Sequence, residues 1–218
     1  MAEPAGDDYL VADGLSLSSS DGPVFSDVTF SFPRGRLAVI DGPAGSGRSA
    51  LLLAIGGRMR GLRGRLRVAG LDVAGQARQV RQAVSVARVA GLVDLEGRLT
   101  VTDSLTERSL IDAVPTRRGA DAFGETERTL GRTFPRDALV DDLPALDRTL
   151  LAVALATVRP SPVLLLDDAD ASLDLSDQRD LMAALLRLAG TGSTVVASTV
   201  ETASRPPAAA AYSLSPRS

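Results

Sequence analysis

The sequence contains no histidine, no cysteine and no tryptophan, and all 24 of its basic residues are arginine. Without cysteine, disulfide bonds, cysteine-ligated zinc and thiol nucleophiles are excluded. Without histidine, the commonest metal ligand and general base is missing, so a serine–histidine–aspartate triad is impossible. Any chemistry that the chain performs must therefore use carboxylates, hydroxyls, arginines and backbone groups.

Net charge and aromatic content are also low. The 24 basic residues stand against 27 acidic ones, which gives a net charge of −3, and only 3% of the residues are aromatic. Proteins that bind nucleic acid without sequence specificity use basic grooves and aromatic side chains that stack on the bases. Because this chain is weakly acidic and poor in aromatic residues, we expect no nucleic-acid partner. The arginines between Arg58 and Arg67 are interpreted as a solvated surface.

Long hydrophobic runs are absent as well. The most apolar stretches, Leu51–Ile55 and Leu150–Val158, are far shorter than the roughly 20 residues that a membrane-spanning helix needs. The first eight residues are acidic and carry no apolar run, unlike a signal peptide. We expect a cytoplasmic protein without a span of its own, held at the inner face of the cell membrane through a partner.

Strand and helix patterns alternate along the chain. Residues 9–17 and 24–32 alternate apolar and polar side chains on either side of a turn cluster, which predicts two antiparallel strands. Apolar runs predict short buried strands at 36–41, 65–69, 163–167 and 194–199. Helical patterns are predicted at 49–57, 124–134, 146–158 and 176–188, and Thr100 with Asp103 forms a capping pair for one more. We therefore predict an α/β fold with a mostly parallel sheet core, preceded by an antiparallel β region.

A glycine-rich segment, Gly42-Pro43-Ala44-Gly45-Ser46-Gly47-Arg48-Ser49, lies between the predicted strand at 36–41 and the helix that follows. This is the spacing and the context of a phosphate-binding loop, in which backbone N–H groups and a helix N-terminus surround an anion. Ser49 would supply a hydroxyl to Mg²⁺. The alternative is a glycine-rich turn without a ligand. Arg48 stands where such loops carry lysine, and because the two are not interchangeable we expect retained binding with relaxed hydrolysis.

A second acidic motif follows the predicted strand at 163–167. Asp167 at the end of that strand would hold Mg²⁺ beside the phosphate loop, and Asp168 would orient the attacking water. Taken alone, the same residues are typical of a strand that ends in a solvated acidic turn.

These motifs, in this order, resemble the ATP-binding cassette of ABC transporters over about residues 9–201. The segments 27–35, 51–53, 64–70 and 99–101 are similar to family segments, and Ala171-Ser172-Leu173-Asp174 resembles the D-loop. The resemblance implies a P-loop NTPase of ABC type over residues 9–204, with a helical subdomain at about 88–158. Residues 1–8 are expected to be a flexible N-terminus and residues 205–218 a weakly structured low-complexity tail.

The resemblance also implies a binding site and partners. ATP and Mg²⁺ are the expected ligands, Asp168 the catalytic residue, and Ser49 and Asp167 the metal ligands. An integral membrane protein and a second cassette are the expected partners. The nucleotide is expected to contact Gly42, Pro43, Ala44, Gly45, Ser46, Gly47, Arg48, Ser49 and Ala50.

Several positions depart from the family pattern. The signature motif falls on Leu143-Pro144-Ala145-Leu146-Asp147, where Pro144 has neither a hydroxyl nor an N–H and Asp147 is negative. The switch histidine falls on Val200, and the Q-loop glutamine is missing near Arg88 or Val89. The aromatic residue that the family stacks on the base should lie near Ser19, where there is only serine. The segment at Pro144 is also interpreted as an ordinary helix start.

We therefore expect the ATP-binding subunit of an ABC-type transport system with weak hydrolysis. The alternative is a regulatory module that holds the nucleotide without cleaving it. A small-molecule kinase is disfavoured, because the D-loop and the first strands match the cassette.

Overall fold

The computed structural model describes residues 8–89 and 91–215. These residues form nine strands and six α-helices, and residues 140–142 add one 3₁₀ turn. In chain order the elements are β1 (Asp8–Ser19), β2 (Gly22–Pro33), β3 (Leu37–Asp41), α1 (Arg48–Ile55), β4 (Arg63–Val68), β5 (Leu71–Asp72), α2 (Val73–Ala83), β6 (Val84–Arg88), α3 (Val101–Ile111), α4 (Thr116–Leu130), α5 (Ala145–Ala156), β7 (Val163–Leu166), α6 (Leu175–Ala189), β8 (Thr194–Thr199) and β9 (Ala210–Ser213).

The antiparallel β region that the sequence predicts is a four-stranded sheet in the order β2-β1-β4-β5. β1 and β2 form a hairpin that closes at the Ser19–Gly22 pair, and β4 runs antiparallel along the other side of β1. Asp8 already belongs to β1, so the expected flexible terminus does not include it; residues 1–7 lie outside the described residues.

The second sheet has five parallel strands in the order β6-β7-β8-β3-β9. Its strands β3, β7 and β8 are buried along their whole length, as expected when both faces of a parallel sheet are covered. One apolar cluster joins this sheet to α1 and the antiparallel sheet, and a second joins its other face to α5 and α6. The α/β fold with a mostly parallel core is confirmed.

The C-terminal segment corrects a prediction. The tail was predicted to be weakly structured over 205–218, but within its described part, residues 205–215, β9 pairs in parallel with β3 over Ala38–Asp41. Residues 216–218 lie outside the described residues. Arg205 forms an ion pair of 2.7 Å with Asp41, and the Ser213 hydroxyl donates to the same carboxylate. These contacts place residues 205–213 beside Asp41, at the carboxyl end of β3.

The helical region differs from the prediction in its boundaries. The helix predicted at 124–134 is α4, which begins eight residues earlier at Thr116 and ends at Leu130, before Gly131 at a φ of 68°. Phe134 is buried but not helical. α2 and β6 were not predicted. In the described part of the chain, no helix has the length and apolarity needed to cross a bilayer.

Candidate nucleotide-binding site

The glycine-rich loop connects the end of β3 to the start of α1, at the carboxyl edge of the parallel sheet. In open parallel sheets this is the edge where ligands bind. Gly47 precedes α1 at a φ of 99°, and no side chain caps the helix. The first N–H groups of α1 therefore lack an intrahelical partner and suit an anion.

Two glycines of the loop are in close contact with neighbouring backbone. A Cβ at Gly47 would lie 2.6 Å from the carbonyl oxygen of Val24 in β2, and one at Gly42 would lie 2.7 Å from the carbonyl oxygen of Leu214. The loop is thus enclosed by the first hairpin on one side and by the residue after β9 on the other.

Arg48, the first residue of α1, is bound within the protein. Its side chain is 8% exposed, and Nη2 donates to Oδ1 of Asp168 at 2.9 Å while Nη1 donates to the carbonyl oxygen of Gly42. The only cation of the loop is therefore already paired with the carboxylate that follows Asp167.

Asp167 is 1% exposed at the end of β7. Its Oδ1 accepts hydrogen bonds from the Ser198 hydroxyl and from the backbone N–H of Asp168. Its Oδ2 has no hydrogen-bond partner within the described part of the chain, and the same holds for the buried Ser46 hydroxyl in the loop. Buried polar atoms of this kind are rare unless a ligand, ion or water satisfies them.

Asp168 is half-buried and has a φ of 45°, a left-handed conformation that non-glycine residues seldom adopt. Its N–H donates to the Ser198 hydroxyl at 2.9 Å, and its carbonyl oxygen accepts from Nη2 of Arg88 at 2.7 Å. The residue borders a cavity of about 300 Å³ that Arg88, Asp94, Arg148, Thr149 and Asp167 also line.

The donor set fits magnesium bound together with a nucleotide. Such an ion usually takes one or two protein oxygens and several oxygens from phosphate and water. Residues 8–89 and 91–215 form no cage of three or more acidic side chains, whereas Asp167 offers a free carboxylate oxygen and Ser49 a hydroxyl. The pattern suits an ion that arrives with phosphates.

Residues 25–171 match the model of the family described as ABC transporter. The chain belongs to this family. Over 166 residues it is 28% identical to the cytochrome c biogenesis ATP-binding export protein CcmA of Xanthomonas axonopodis pv. citri, which covers 76% of this chain and 74% of that protein. Over 189 residues it is 29% identical to the phosphonates import ATP-binding protein PhnC 2 of Rhodopseudomonas palustris, covering 82% and 70%.

Solved structures show the same fold. The chain superposes on cbiO1 of Clostridium perfringens, part of the ABC transporter complex cbiONQ, with a TM-score of 0.76 at 19% identity, covering 89% of this chain and 79% of that one. A bacterial Atm1-family ABC exporter with ATP bound gives a TM-score of 0.71 at 19% identity, covering 98% and 38%. The chain is an ABC-type ATP-binding cassette with the P-loop NTPase fold.

The segment at which the sequence predicts the signature motif is the start of α5. Pro144 precedes the helix without a side-chain cap, and Asp147 lies in the first turn. Asp147 forms an ion pair of 3.6 Å with Arg132, so its negative charge is partly neutralised. The interpretation as a helix start is therefore correct, and the repulsion expected from Asp147 is weaker than its charge alone suggests.

Val200, on which the sequence predicts the switch position to fall, is 45% exposed. Its backbone N–H and that of Glu201 donate to Oδ2 of Asp170 at 2.8 and 2.9 Å. The segment is thus tied to the turn that follows Asp168 by backbone contacts, without an imidazole.

Sequence reasoning missed three residues that surround this site. Ser198 and Arg88 hold the Asp167–Asp168 segment, and Arg205 binds Asp41 next to the loop. Serine and arginine occur throughout this sequence, so no local pattern singles out these three. The one available signal was the expectation that the Q-loop glutamine of the family would fall near Arg88 or Val89.

Proposed function

We propose that this cassette binds Mg-ATP at residues 42–50 and hydrolyses it slowly, as the ATP-binding subunit of a membrane transport system. The observation that carries the proposal is the uncapped N-terminus of α1 beside the unpartnered Oδ2 of Asp167. The first feature suits phosphate and the second suits the cation that accompanies phosphate.

The mechanism follows from the residues around the loop. Backbone N–H groups of Gly45 and of residues 47–50 would hold the phosphates, and Ser49 and Asp167 would hold the magnesium ion, which would neutralise charge on the phosphate oxygens. Asp168 accepts a hydrogen bond from a water molecule and orients it toward the γ-phosphorus. Attack by that water forms a bond between its oxygen and the γ-phosphorus, while the bond from the γ-phosphorus to the oxygen that bridges the β- and γ-phosphates breaks. The products are ADP, inorganic phosphate and a proton released to solvent.

Slow hydrolysis follows from the same site. The Arg48–Asp168 ion pair engages the loop cation and one oxygen of the water-orienting carboxylate, so the pair has to weaken before Arg48 acts on the nucleotide. Val200 supplies no side-chain hydrogen bond, and Pro144 supplies none to a nucleotide held by a second cassette. Losing one such group typically costs on the order of 10² to 10³ in rate.

Calorimetry and phosphate release test the proposal together. The wild-type protein should bind Mg-ATP, and EDTA should weaken binding. Ser49→Ala should lose most of that magnesium dependence. Ser176→Ala is the matched control, because Ser176 is the second residue of α6 as Ser49 is of α1. No binding at millimolar Mg-ATP, or a turnover near the usual range of about 1–100 s⁻¹ without a partner, would contradict the proposal.

An integral membrane partner is part of the proposal. Two relatives of this chain are named as an ATP-binding export protein and an import ATP-binding protein. Leu110 and Ile111 at the end of α3 are 76% and 73% exposed, and Leu92 is 51% exposed. Ile111 also borders a cleft of about 90 Å³ between α3 and α5. Exposed apolar residues of this size support a contact with another protein at the inner face of the membrane.

Membrane fractionation tests the partner. In its own host the wild-type cassette should sediment with the membranes, and Leu110→Ser with Ile111→Ser should remain in the supernatant. The matched control is Leu139→Ser, since Leu139 is also exposed, at 40%, but lies outside α3. Sedimentation of the double variant at the wild-type level would exclude this surface as the contact.

A further inference from the structure

Arg88 is the last residue of β6, and its half-buried side chain contacts two other segments. Its guanidinium donates to the carbonyl oxygen of Asp168 at 2.7 Å and to that of Asp167 at 3.3 Å. Nη1 also donates to the Thr149 hydroxyl in α5 at 3.3 Å. One side chain therefore links the parallel sheet, the segment after β7 and the helix that begins at the signature position.

The segment held by Arg88 has an uncommon conformation. Asp168 has a φ of 45°, and such backbone persists only where its surroundings hold it in place. Ser198 of β8 binds its N–H from one side, and Arg88 binds its carbonyl oxygen from the other. The direction of the Asp168 carboxylate depends on both contacts, because rotation of either peptide group would turn the side chain.

The contact with α5 extends this arrangement to the helical region. Thr149 is 2% exposed and lies five residues after Pro144 and two after Asp147, so a displacement of the start of α5 would move its hydroxyl as well. The backbone of Arg88 cannot follow such a displacement, because its carbonyl oxygen accepts a hydrogen bond from the N–H of Asp167 at 2.9 Å. A movement of α5 is thus transmitted to the carbonyl oxygens of Asp167 and Asp168.

We propose that Arg88 is a positioning residue that couples the placement of α5 to the orientation of the Asp168 carboxylate. This inference rests on the proposed function, since Asp168 acts on ATP only there. Arg88 affects hydrolysis through Asp168 and contributes little to nucleotide binding. Arginine suits this role better than glutamine, because its planar group donates to two carbonyl oxygens and a hydroxyl at once.

The kinetic test compares variants at position 88. Arg88→Gln should lower kcat by on the order of 10- to 100-fold, the effect of misplacing a catalytic group by about 1 Å, while the Kd for Mg-ATP stays within about a factor of three. Arg88→Lys should recover part of kcat, because one ammonium still reaches the Asp168 carbonyl oxygen. Thr149→Val, which keeps the shape and removes the hydroxyl, should also lower kcat with little change in Kd.

Arg159→Gln is the matched control. Arg159 donates to the carbonyl oxygens of Gln82, at the end of α2, and Val84, the first residue of β6. These contacts lie at the end of β6 opposite to Arg88. Arg159→Gln should lower thermal stability and leave kcat at the wild-type value. A wild-type kcat in Arg88→Gln overturns the positioning role. A wild-type kcat in Thr149→Val overturns the coupling to α5.

Hydrogen exchange gives a readout that does not need ATP turnover. The Ala171 N–H donates to the Asp168 carbonyl oxygen at 2.9 Å. Without the guanidinium, the amides of residues 168–171 should exchange about tenfold faster, and Arg159→Gln should leave them unchanged. Unaltered exchange in Arg88→Gln overturns the inference. If the wild-type protein fails to bind Mg-ATP while Arg88→Gln still speeds exchange, the proposed function fails and the positioning of Asp168 by Arg88 stands.

Discussion

Arg48 and Asp168 form an ion pair of 2.9 Å across the nucleotide site. Arg48 is the cation of the phosphate loop, and Asp168 is the carboxylate that we propose to orient water. The arginine is nearly enclosed, whereas the side chain of Asp168 is 39% exposed, so water screens the pair only in part. We propose that bound nucleotide phosphates compete with Asp168 for Arg48 and that this competition weakens binding and slows hydrolysis.

Asp168→Asn should therefore bind Mg-ATP more tightly and cleave it more slowly. Loss of the competing charge should improve Kd by about two- to fivefold, the range for a partly exposed ion pair. Loss of the water-orienting carboxylate should lower kcat by about 10²-fold. Calorimetry and single-turnover phosphate release measure the two effects. Asp94→Asn is the control, because Asp94 lines the same cavity but forms no ion pair with Arg48. An equal gain in ATP affinity in this variant would show that general charge repulsion, not the Arg48–Asp168 ion pair, limits binding.

Ser19→Tyr should raise the affinity for ATP. Ser19 ends β1 in the first hairpin, whose β2 lies against Gly47 of the loop through Val24. A ring there would stack on the base, and stacking on an aromatic side chain contributes about 1–3 kcal/mol per base. We expect Kd to fall by about fivefold or more. Ser18→Tyr is the control, because neighbouring strand residues point to opposite faces. Equal effects of both variants would contradict a base contact at position 19.

Mg-ATP alone should not drive formation of a tight homodimer. In a homodimer, each nucleotide would lie between the phosphate loop of one subunit and the signature segment of the other. Both of these sites would contain Pro144, which offers the nucleotide no N–H or hydroxyl, and Asp147, whose charge Arg132 offsets only in part. Light scattering of Asp168→Asn should give a monomer with and without Mg-ATP. A second cassette with an intact signature, or the membrane partner, should be needed for closure. A clean ATP-dependent shift to a dimer would show that this signature segment still binds nucleotide.

Stability of the helical region should depend on pH through Glu127. Burial alone would raise the pKa of Glu127, but hydrogen bonds from Arg136 and from the Phe134 N–H outweigh it and hold this pKa below its usual value. Because the pKa of Glu127 is lower in the folded protein than in the unfolded chain, where it is about 4.3, the ionised carboxylate stabilises the fold at any pH above that unfolded value. This contribution is lost as the pH falls through the pKa of the folded state.

Glu127→Gln should thus lower the free energy of unfolding by about 1–3 kcal/mol at pH 7, and the difference from wild type should shrink below about pH 4. Urea denaturation at pH 7 and pH 3 measures both values. Glu125→Gln, on the exposed face of the same helix, should change little at either pH. A difference of the same size at pH 7 and pH 3 would refute the pKa argument.

Some errors of the sequence analysis come from weak local signals. The first half of α4 is polar and contains Gly119, whose close approach to the Ser109 hydroxyl of α3 makes it a packing residue. Its helical pattern becomes visible only from Gly124 onward, and the predicted helix began there. β6 is a strand of five residues that follows α2 without a turn, so its apolar residues did not stand out as a separate element.

The sequence by itself determined the secondary-structure elements and turns that depend only on residues close together in the chain. Alternation predicted β1 and β2, apolar runs predicted β3, β7 and β8, and the Thr100–Asp103 pair predicted a capping box that forms as expected. The glycine spacing placed a loop between β3 and α1. Each of these depends on backbone geometry or on side-chain periodicity within about ten residues.

Only the tertiary structure decided which distant groups meet. The alanine-rich β9 has no strand signal of its own, and it is ordered because the free edge of β3 supplies its hydrogen bonds and Asp41 binds Arg205. Likewise, nothing near Arg48 or Arg88 in the chain indicates that both contact Asp168. An arginine reaches partners on any element that folding brings within hydrogen-bond distance, so its role is decided by the packing of the sheet and not by its sequence neighbours.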